Sequence, residues 1–259
     1  MPGRSLEELR AALSGASARE AQHIADLLEG DPRKGAGALR ARALRVVEQD
    51  RKERERLARL FSLQAHLHEA GVQVVAGVDE VGRGAVAGPV TAGAVVIETG
   101  VLIPGLDDSK KLSARRREEL DQRIRSLAVA VSVAHVPPDV VDSVGIAEAT
   151  RRAMDDAVGA LGLDVGHVLV DGLDARLSVE CTPVVHGDSC CASIAAASVV
   201  AKVARDALMV EHASAYPGYG FDKNKGYGTV EHLEAVRTLG PSPLHRRTFL
   251  GSILNERLF

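Results

Sequence analysis

The sequence predicts an α/β fold preceded by a helical extension. From residue 71 onward, apolar runs of strand length alternate with amphipathic helical segments, whereas the first 70 residues contain helical patterns only. The first apolar run, residues 72–78, ends on two adjacent acids, Asp79 and Glu80. We therefore expect two parts: a helical N-terminal extension over residues 1–70, and an α/β domain over residues 71–259 whose C-terminal part is helical.

The extension contains two helix starts. Ser5 precedes Glu8 by three residues, and Ser17 precedes Glu20 in the same way, which is the spacing of a capping box. A longer helix is predicted from about residue 38 to residue 69, supported by oppositely charged pairs four residues apart. With thirteen basic and eleven acidic residues, the extension has a net charge of +2. It is either a solvated helical appendage or a basic arm that holds nucleic acid.

The α/β domain has five predicted strands, which cover residues 72–78, 90–98, 129–133, 168–170 and 179–185. Helices are predicted over residues 113–126, 146–161 and 229–239, and another begins near Ser193. Ser113 is a candidate N-cap for the first of them. The helix near Ser193 is rich in alanine and serine, so it can approach its neighbours closely.

Acidic residues stand at three strand or loop ends: Asp79 with Glu80, Asp171 and Asp188. Taken singly, Asp171 before Gly172 has the pattern of a turn residue. Taken together, the four carboxylates are better explained as converging, because a buried strand that ends on two acids needs a cation beside them. Four carboxylates can hold two divalent ions, and hard oxygen ligands favour Mg²⁺ or Mn²⁺ over zinc.

The segment Gly82-Arg83-Gly84 follows the acidic pair. Such a loop can bring its backbone close to a ligand, which suggests chemistry on a phosphate-bearing substrate. With Ala87 it also matches the dinucleotide-binding fingerprint. That fingerprint requires a helix to open at the glycines, whereas Gly88-Pro89 interrupts the stretch and a predicted strand follows. The dinucleotide alternative is therefore weak.

A thiol metal site is a further alternative, formed from Cys181, His186, Cys190 and Cys191. Their spacing matches none of the usual zinc patterns, and adjacent cysteines do not readily bind one tetrahedral ion. Small, weakly polar packing residues are the simpler interpretation.

Composition bounds the protein class. With 35 acids and 32 bases the net charge is −3, which argues against coating nucleic acid by bulk charge. No apolar run approaches the roughly 20 residues needed to span a bilayer, and the N-terminus lacks the apolar core of a signal peptide. Three cysteines fit a reducing compartment. We expect a cytoplasmic protein that does not bind membranes.

Six ordered motifs between residue 71 and about residue 250 resemble the type 2 ribonucleases H, and among them the HII branch. They read GVDEVGRGAVAGPV, LDDSKKLS, LVDG, GDSCCASIAAASVVAKVARD, YPGYGFDKNKGYGT and GPSPLHRRTF. Gly82-Arg83-Gly84 matches the HII branch, whereas the HIII branch has Gly-Lys-Gly. The helical segment before residue 70 resembles the extension of some bacterial HII enzymes.

The resemblance implies an RNase H-like fold with a central mixed β-sheet flanked by helices. It implies hydrolysis of the RNA strand of RNA–DNA hybrids and nicking 5′ to single ribonucleotides in duplex DNA, a step in ribonucleotide excision repair. Two Mg²⁺ or Mn²⁺ ions would take part, and the products would carry 3′-hydroxyl and 5′-phosphate ends. The implied catalytic and metal-binding residues are Asp79, Glu80, Asp171 and Asp188. The implied substrate-binding residues are Gly82, Arg83, Gly84, Lys110 and Tyr227.

Two departures from the family pattern adjoin Asp188. The chain has His186 where lysine is common, and Cys190-Cys191 where more polar residues are common. Near the C-terminus, residues 245–247 (His-Arg-Arg) are expected either to contact a substrate backbone or to form a solvated turn. Residues 252–259 lack the glutamine of a sliding-clamp peptide. A catalytically inactive hybrid-binding protein remains the alternative, although it would be expected to have lost a carboxylate.

Overall fold

The structure, a computed structural model, describes residues 4–172 and 176–255, with side chains up to residue 251. The chain divides into two compact units, Met1–Arg59 and Leu60–Phe259. The sequence placed this boundary about ten residues later, at residue 70. The difference arises because the segment after Leu60 packs on the second unit: its Gln64 side chain donates to the carbonyl oxygen of Ile97 at 2.5 Å.

The described part of the first unit, from residue 4 onward, contains three helices, α1 (Leu6–Leu13), α2 (Ala18–Leu27) and α3 (Ala36–Arg59). Both predicted capping boxes form: the hydroxyls of Ser5 and Ser17 each accept from the backbone N–H of the glutamate three residues on, and the serine backbone N–H donates to that glutamate's carboxylate. Leucine, isoleucine and alanine side chains of the three helices share one small core. The predicted third helix is shorter than expected, ending at Arg59 rather than at residue 69.

A five-stranded mixed sheet forms the centre of the second unit. Its strands are β1 (Val75–Val81), β2 (Val90–Val96), β3 (Ala130–Val136), β4 (His167–Asp171) and β5 (Cys181–Val184). They lie in the order β3-β2-β1-β4-β5, with β1 antiparallel to β2 and parallel to β4. The predicted mixed sheet flanked by helices is thus confirmed.

Nine helices of this unit lie within the described residues. They are α4 (Ser62–Glu69), α5 (Ala114–Leu127), α6 (Pro138–Val144), α7 (Ile146–Gly159), α8 (Gly187–Cys190), α9 (Ala192–Ala215), α10 (Phe221–Asn224), α11 (Val230–Leu239) and α12 (Arg247–Asn255). Ser113 caps α5 as predicted, and Thr229 caps α11. Residues 256–259, which belong to the segment without a sliding-clamp pattern, lie outside the described part.

The long helix α9 packs directly on β1 and β2. Glycines in the two strands make this close approach possible, since a side chain on Gly77 would meet the backbone of Ser193 and one on Gly93 would meet the carbonyl of Ala197. The alanine- and serine-rich start of α9 is fully buried. The expectation that small residues allow close helix packing is therefore confirmed, and the packing fixes α9 behind the acidic end of β1.

Within the described residues, no helix is both long and apolar enough to cross a membrane.

Candidate active site

Two of the predicted acids meet because their strands are parallel neighbours. Val78 of β1 pairs with Val170 of β4, so the next residues, Asp79 and Asp171, lie side by side at the same edge of the sheet. Asp79 and Glu80 lie inside β1, which continues to Val81, rather than just after the strand as the sequence suggested. Asp79 is only 4% exposed.

The third acid comes from the short helix that follows β5. His186 adopts a left-handed conformation with φ of 54°, which turns the chain into α8 and places Asp188, 5% exposed, beside the other two. The backbone N–H of Gly187 donates to Asp171 Oδ1 at 2.8 Å and orients that carboxylate. Carboxylate oxygens of Asp79, Asp171 and Asp188 all lie within 4.8 Å of one another.

This cluster is electrostatically unfavourable without a cation. Burial, together with the charges of Glu80 and Asp171, raises the pKa of Asp79 well above its usual value, and hydrogen bonding from Ser198 opposes the rise only in part. Converging carboxylate oxygens are the donors that Mg²⁺ and Mn²⁺ prefer, so the three aspartates fit a divalent metal site. Among the described residues, the cluster contains no thiol, and burial raises the pKa of Cys191. The thiol alternative has no support.

Glu80 stands apart from the three aspartates. Successive strand residues project to opposite faces, and the Glu80 carboxylate lies 3.5 Å from the Arg83 guanidinium. Burial raises the pKa of Glu80, and the Arg83 charge opposes the rise. Glu80 and Asp171 border a groove of about 470 Å³ whose lining also includes Arg151 and Arg176. Glu80 is thus adjacent to the cluster and faces a groove with three arginines.

Lys110 reaches the cluster from the 3₁₀ turn Ser109–Lys111. Its Nζ lies 3.1 Å from Asp188 Oδ2. The preceding Ser109 is buried, and its hydroxyl lies 2.7 Å from that of Ser198 in α9, the residue that hydrogen-bonds with Asp79. The turn is therefore held against the acids through both residues.

The glycine loop after β1 forms turns, and no helix opens at its glycines. Gly82 has φ of 89° and is buried, whereas Gly84 is exposed, with open space where a side chain would be. The chain then passes through Pro89 into the antiparallel strand β2. This geometry excludes the dinucleotide alternative, because that fold needs a helix N-terminus at the loop.

Tyr227 lies in the loop before α11 and is half-buried. Its ring centroid lies 5.3 Å from Arg205 Cζ and 5.7 Å from Lys202 Nζ, two cations one turn apart on α9. The Tyr227 loop touches the glycine loop, since the Gly226 carbonyl accepts from the backbone of Val86 and of Ala87. The two predicted substrate-binding segments are therefore neighbours.

Two buried arginines support this site; the sequence analysis assigned no role to Arg205, and it assigned Arg246 to an exposed segment. Arg205 and Arg246 are both fully buried and donate to main-chain carbonyls of residues 83–89. Burial lowers the pKa of Arg246 to about 10, which leaves it charged at neutral pH. The expected exposed role for residues 245–247 is wrong for His245 and Arg246, since both are buried. A signal was available for Arg205, an arginine inside the alanine-rich α9.

Comparison with known proteins identifies the family. The model of the family Ribonuclease HII matches residues 76–251. This chain belongs to the ribonuclease HII family. The ribonuclease HII of Moorella thermoacetica is 48% identical over 198 residues, covering 76% of this chain and 96% of that protein. That of Pediococcus pentosaceus is 44% identical over 222 residues, covering 86% and 87%.

Solved structures agree with the ribonuclease HII assignment. The ribonuclease H2 from Pyrococcus horikoshii superposes with a TM-score of 0.57 at 27% identity, covering 68% of this chain and 93% of that one. Bst-RNase HIII in complex with Mn²⁺ gives 0.50 at 18% identity, covering 73% of each chain, and supports the RNase H-like fold alone. The chain is therefore a nuclease of the ribonuclease H class, which acts on RNA–DNA hybrids, and its acidic cluster fits a divalent metal.

Proposed function

We propose that this ribonuclease HII is an endonuclease that nicks 5′ to single ribonucleotides embedded in duplex DNA, as well as cutting continuous hybrids. The observation that carries this proposal is that three aspartates lie within 4.8 Å of one another and that β1, the strand containing Asp79, leads into the Gly82–Gly84 loop. A reactive phosphate at the acids would therefore have the neighbouring sugar at the loop.

In this proposal Asp79, Asp171 and Asp188 hold the divalent ions, and Glu80 completes the set from the adjoining groove. Ions held there would supply an activated water and stabilise the leaving 3′-oxygen, and the products would carry 3′-hydroxyl and 5′-phosphate ends. Mg²⁺ and Mn²⁺ both suit these donors. The Mn²⁺ complex of Bst-RNase HIII, a structural neighbour, is consistent with this expectation.

The remaining site residues bind and orient the substrate strand. Distinguishing RNA from DNA requires contact with the 2′-hydroxyl, and the exposed Gly84 lets the loop backbone reach it without side-chain obstruction. Arg83, with a side chain 55% exposed, supplies a positive charge for a phosphate. Lys110 lies where it can contact a second phosphate, and Tyr227 packs against the sugar at the RNA–DNA junction.

A three-substrate assay tests the proposal. With Mg²⁺ or Mn²⁺, a duplex containing one ribonucleotide should be nicked on its 5′ side, the matching all-DNA duplex should remain intact, and EDTA should stop the reaction. A 2′-O-methyl group on that ribonucleotide should block cleavage, because the hydroxyl donor is lost and the methyl group stands between the sugar and the loop backbone. Equal cutting of the methylated duplex would refute the role of the glycine loop.

The same assay tests the alternative of a hybrid-binding protein without catalysis, for which binding would persist while no product forms. We infer a cytoplasmic location from the three cysteines of the chain, which fit a reducing compartment.

A further inference from the structure

Arg205 occupies an unusual position between the two predicted substrate-binding segments. It is fully buried on α9, and its guanidinium donates in three directions to neutral main-chain carbonyls. Nε donates to Pro89 at 2.9 Å and Nη2 to Ala87 at 3.2 Å, whereas Nη1 donates to Lys225 at 2.9 Å. One side chain thus holds the end of the glycine loop and the start of the Tyr227 loop at a fixed separation.

The spacing between Arg205 and the glycine loop is tight. A side chain on Gly82 would run into the Arg205 guanidinium, and one on Gly226 would run into the Ala87 carbonyl. Both glycines have positive φ, 89° and 81°. The two loops and the Arg205 side chain therefore pack this closely only while glycine occupies both positions.

Arg205 also contacts the aromatic ring directly. Its Cζ lies 5.3 Å from the Tyr227 ring centroid, a cation–π contact that sets how far the ring stands from the glycine loop. Arg246 offers a comparison: it is equally buried, but its three hydrogen bonds go to Arg83 and Gly88 and none to the Tyr227 loop. Only Arg205, of these two, joins both segments.

We propose that Arg205 is a positioning residue for substrate specificity: it fixes the distance between the 2′-hydroxyl-reading loop and Tyr227, and so determines how well the enzyme cuts at a single ribonucleotide relative to a continuous hybrid. A duplex with a single ribonucleotide has one RNA–DNA junction, which must contact the glycine loop and the Tyr227 ring at the same time. A continuous hybrid can bind in many positions along its RNA strand, so its cleavage tolerates a change in the distance between loop and ring. This inference rests on the proposed nicking activity.

The test compares kcat/KM on both substrates for the full-length wild type and Arg205→Lys. Lysine keeps the positive charge, but its single ammonium group lacks the planar guanidinium whose N–H groups donate to both loops at once. We expect the kcat/KM for the single-ribonucleotide duplex to fall about 10- to 100-fold and that for the continuous hybrid to fall less than about threefold. Where Arg205→Lys melts below the assay temperature, Arg205→Gln, which buries no charge, replaces it.

Coupling to Tyr227 separates positioning from general destabilisation. If Arg205 acts through the ring, the double variant with Tyr227→Ala should lose no more than the worse single variant. Arg246→Lys is the matched control. Its fall in kcat/KM should be the same for both substrates, and in the double variant it should multiply with the fall caused by Tyr227→Ala. The inference would be overturned if Arg205→Lys lowered kcat/KM equally for both substrates. It would also be overturned if the falls caused by Arg205→Lys and Tyr227→Ala multiplied in the double variant. A wild type that never nicks at a single ribonucleotide would refute the proposed function itself.

Discussion

The Lys110 ammonium lies 3.1 Å from a carboxylate oxygen of the buried Asp188. Burial lowers the pKa of Lys110, but the hydrogen bond and charge of Asp188, with Asp108 and Asp79, outweigh it, so the pKa is raised and the lysine stays charged at neutral pH. The lysine therefore supplies part of the positive charge that the acidic cluster needs, and it would compete with a metal ion bound at the same oxygen.

Replacing this lysine should separate metal binding from substrate binding. Lys110→Met should lower the Mg²⁺ concentration for half-maximal activity about two- to fivefold, since the competing ammonium is mostly exposed and an exposed pair is worth little. It should raise KM for substrate if Lys110 also contacts a phosphate. Mg²⁺ titrations at saturating substrate measure the first effect. A higher Mg²⁺ requirement would contradict the competition.

The cluster itself should be essential for activity but costly for stability. Asp79→Asn should lower kcat by about 100-fold or more, because a ligand is lost. In EDTA its melting temperature should equal or exceed that of the wild type, since repulsion with Asp171 and Glu80 is relieved. Asp107→Asn, an acid paired with Lys111 outside the cluster, is the control. Near-normal cleavage by Asp79→Asn would exclude the metal-site assignment.

The two loop glycines should respond differently to alanine. Gly82→Ala should destabilise the fold, since the left-handed backbone alone costs about 1–2 kcal/mol and the new methyl group meets Arg205. Gly84→Ala has open space and should melt like the wild type, yet lose activity if the substrate backbone approaches there. Thermal unfolding and nicking assays distinguish these outcomes. Equal melting temperatures for the two variants would contradict the left-handed backbone of Gly82 and its close contact with Arg205.

A buried histidine pair should make the protein sensitive to acid. His245 Nδ1 accepts from the Ser242 N–H, and His232 Nδ1 donates to the Tyr227 carbonyl, so the 3.1 Å contact between their Nε2 atoms needs both rings neutral. Burial lowers the pKa of both, that of His245 to about 4 with help from the His232 charge.

The unfolded chain takes up protons near pH 6.5, whereas the folded pair does not. Stability should therefore be full above about pH 6.5 and fall as the pH drops from 6.5 to about 4, by up to about 1.4 kcal/mol per pH unit for each proton. Urea unfolding at several pH values measures the slope. His245→Gln should be less stable at pH 7.5 and have a shallower slope, whereas the exposed His23→Gln should change neither.

The boundary between the two units can be tested by truncation. A chain of residues 60–259 keeps α4 and should fold and cut at the same position. A chain of residues 71–259 loses the Gln64 bond to Ile97 and the packing of Leu67, and should melt lower by more than about 4 °C. Equal melting temperatures for the two truncated chains would instead support a domain boundary at residue 70.

The same truncation tests whether the extension binds nucleic acid. Relative to the full chain, residues 60–259 should bind hybrid more weakly at low salt and with a shallower salt dependence, because each phosphate contacted adds to the slope. If the truncation changes neither the affinity for hybrid nor its salt dependence, the first unit is a helical appendage or a self-association element instead.

Local and family-specific features could be predicted from the sequence. The capping boxes at Ser5 and Ser17 and the N-cap at Ser113 formed as predicted, because a cap needs only residues within one turn. The five strands were found because buried strands are short apolar runs. The acids were recognised because their motifs stand in a fixed order along the chain.

The tertiary structure decided which of these residues meet. The pairing of β1 with β4 brings Asp79 beside Asp171, whereas Glu80 lies outside the aspartate cluster and borders the groove that it shares with Asp171. The alanine-rich surroundings of Arg205 indicated its burial, but the partners of Arg205 and Arg246 could not be predicted from local patterns, because arginine is normally exposed and their acceptors, carbonyls of the glycine loop, lie more than a hundred residues earlier. The sequence thus determined the fold class and the chemistry, whereas long-range packing determined the geometry of the site.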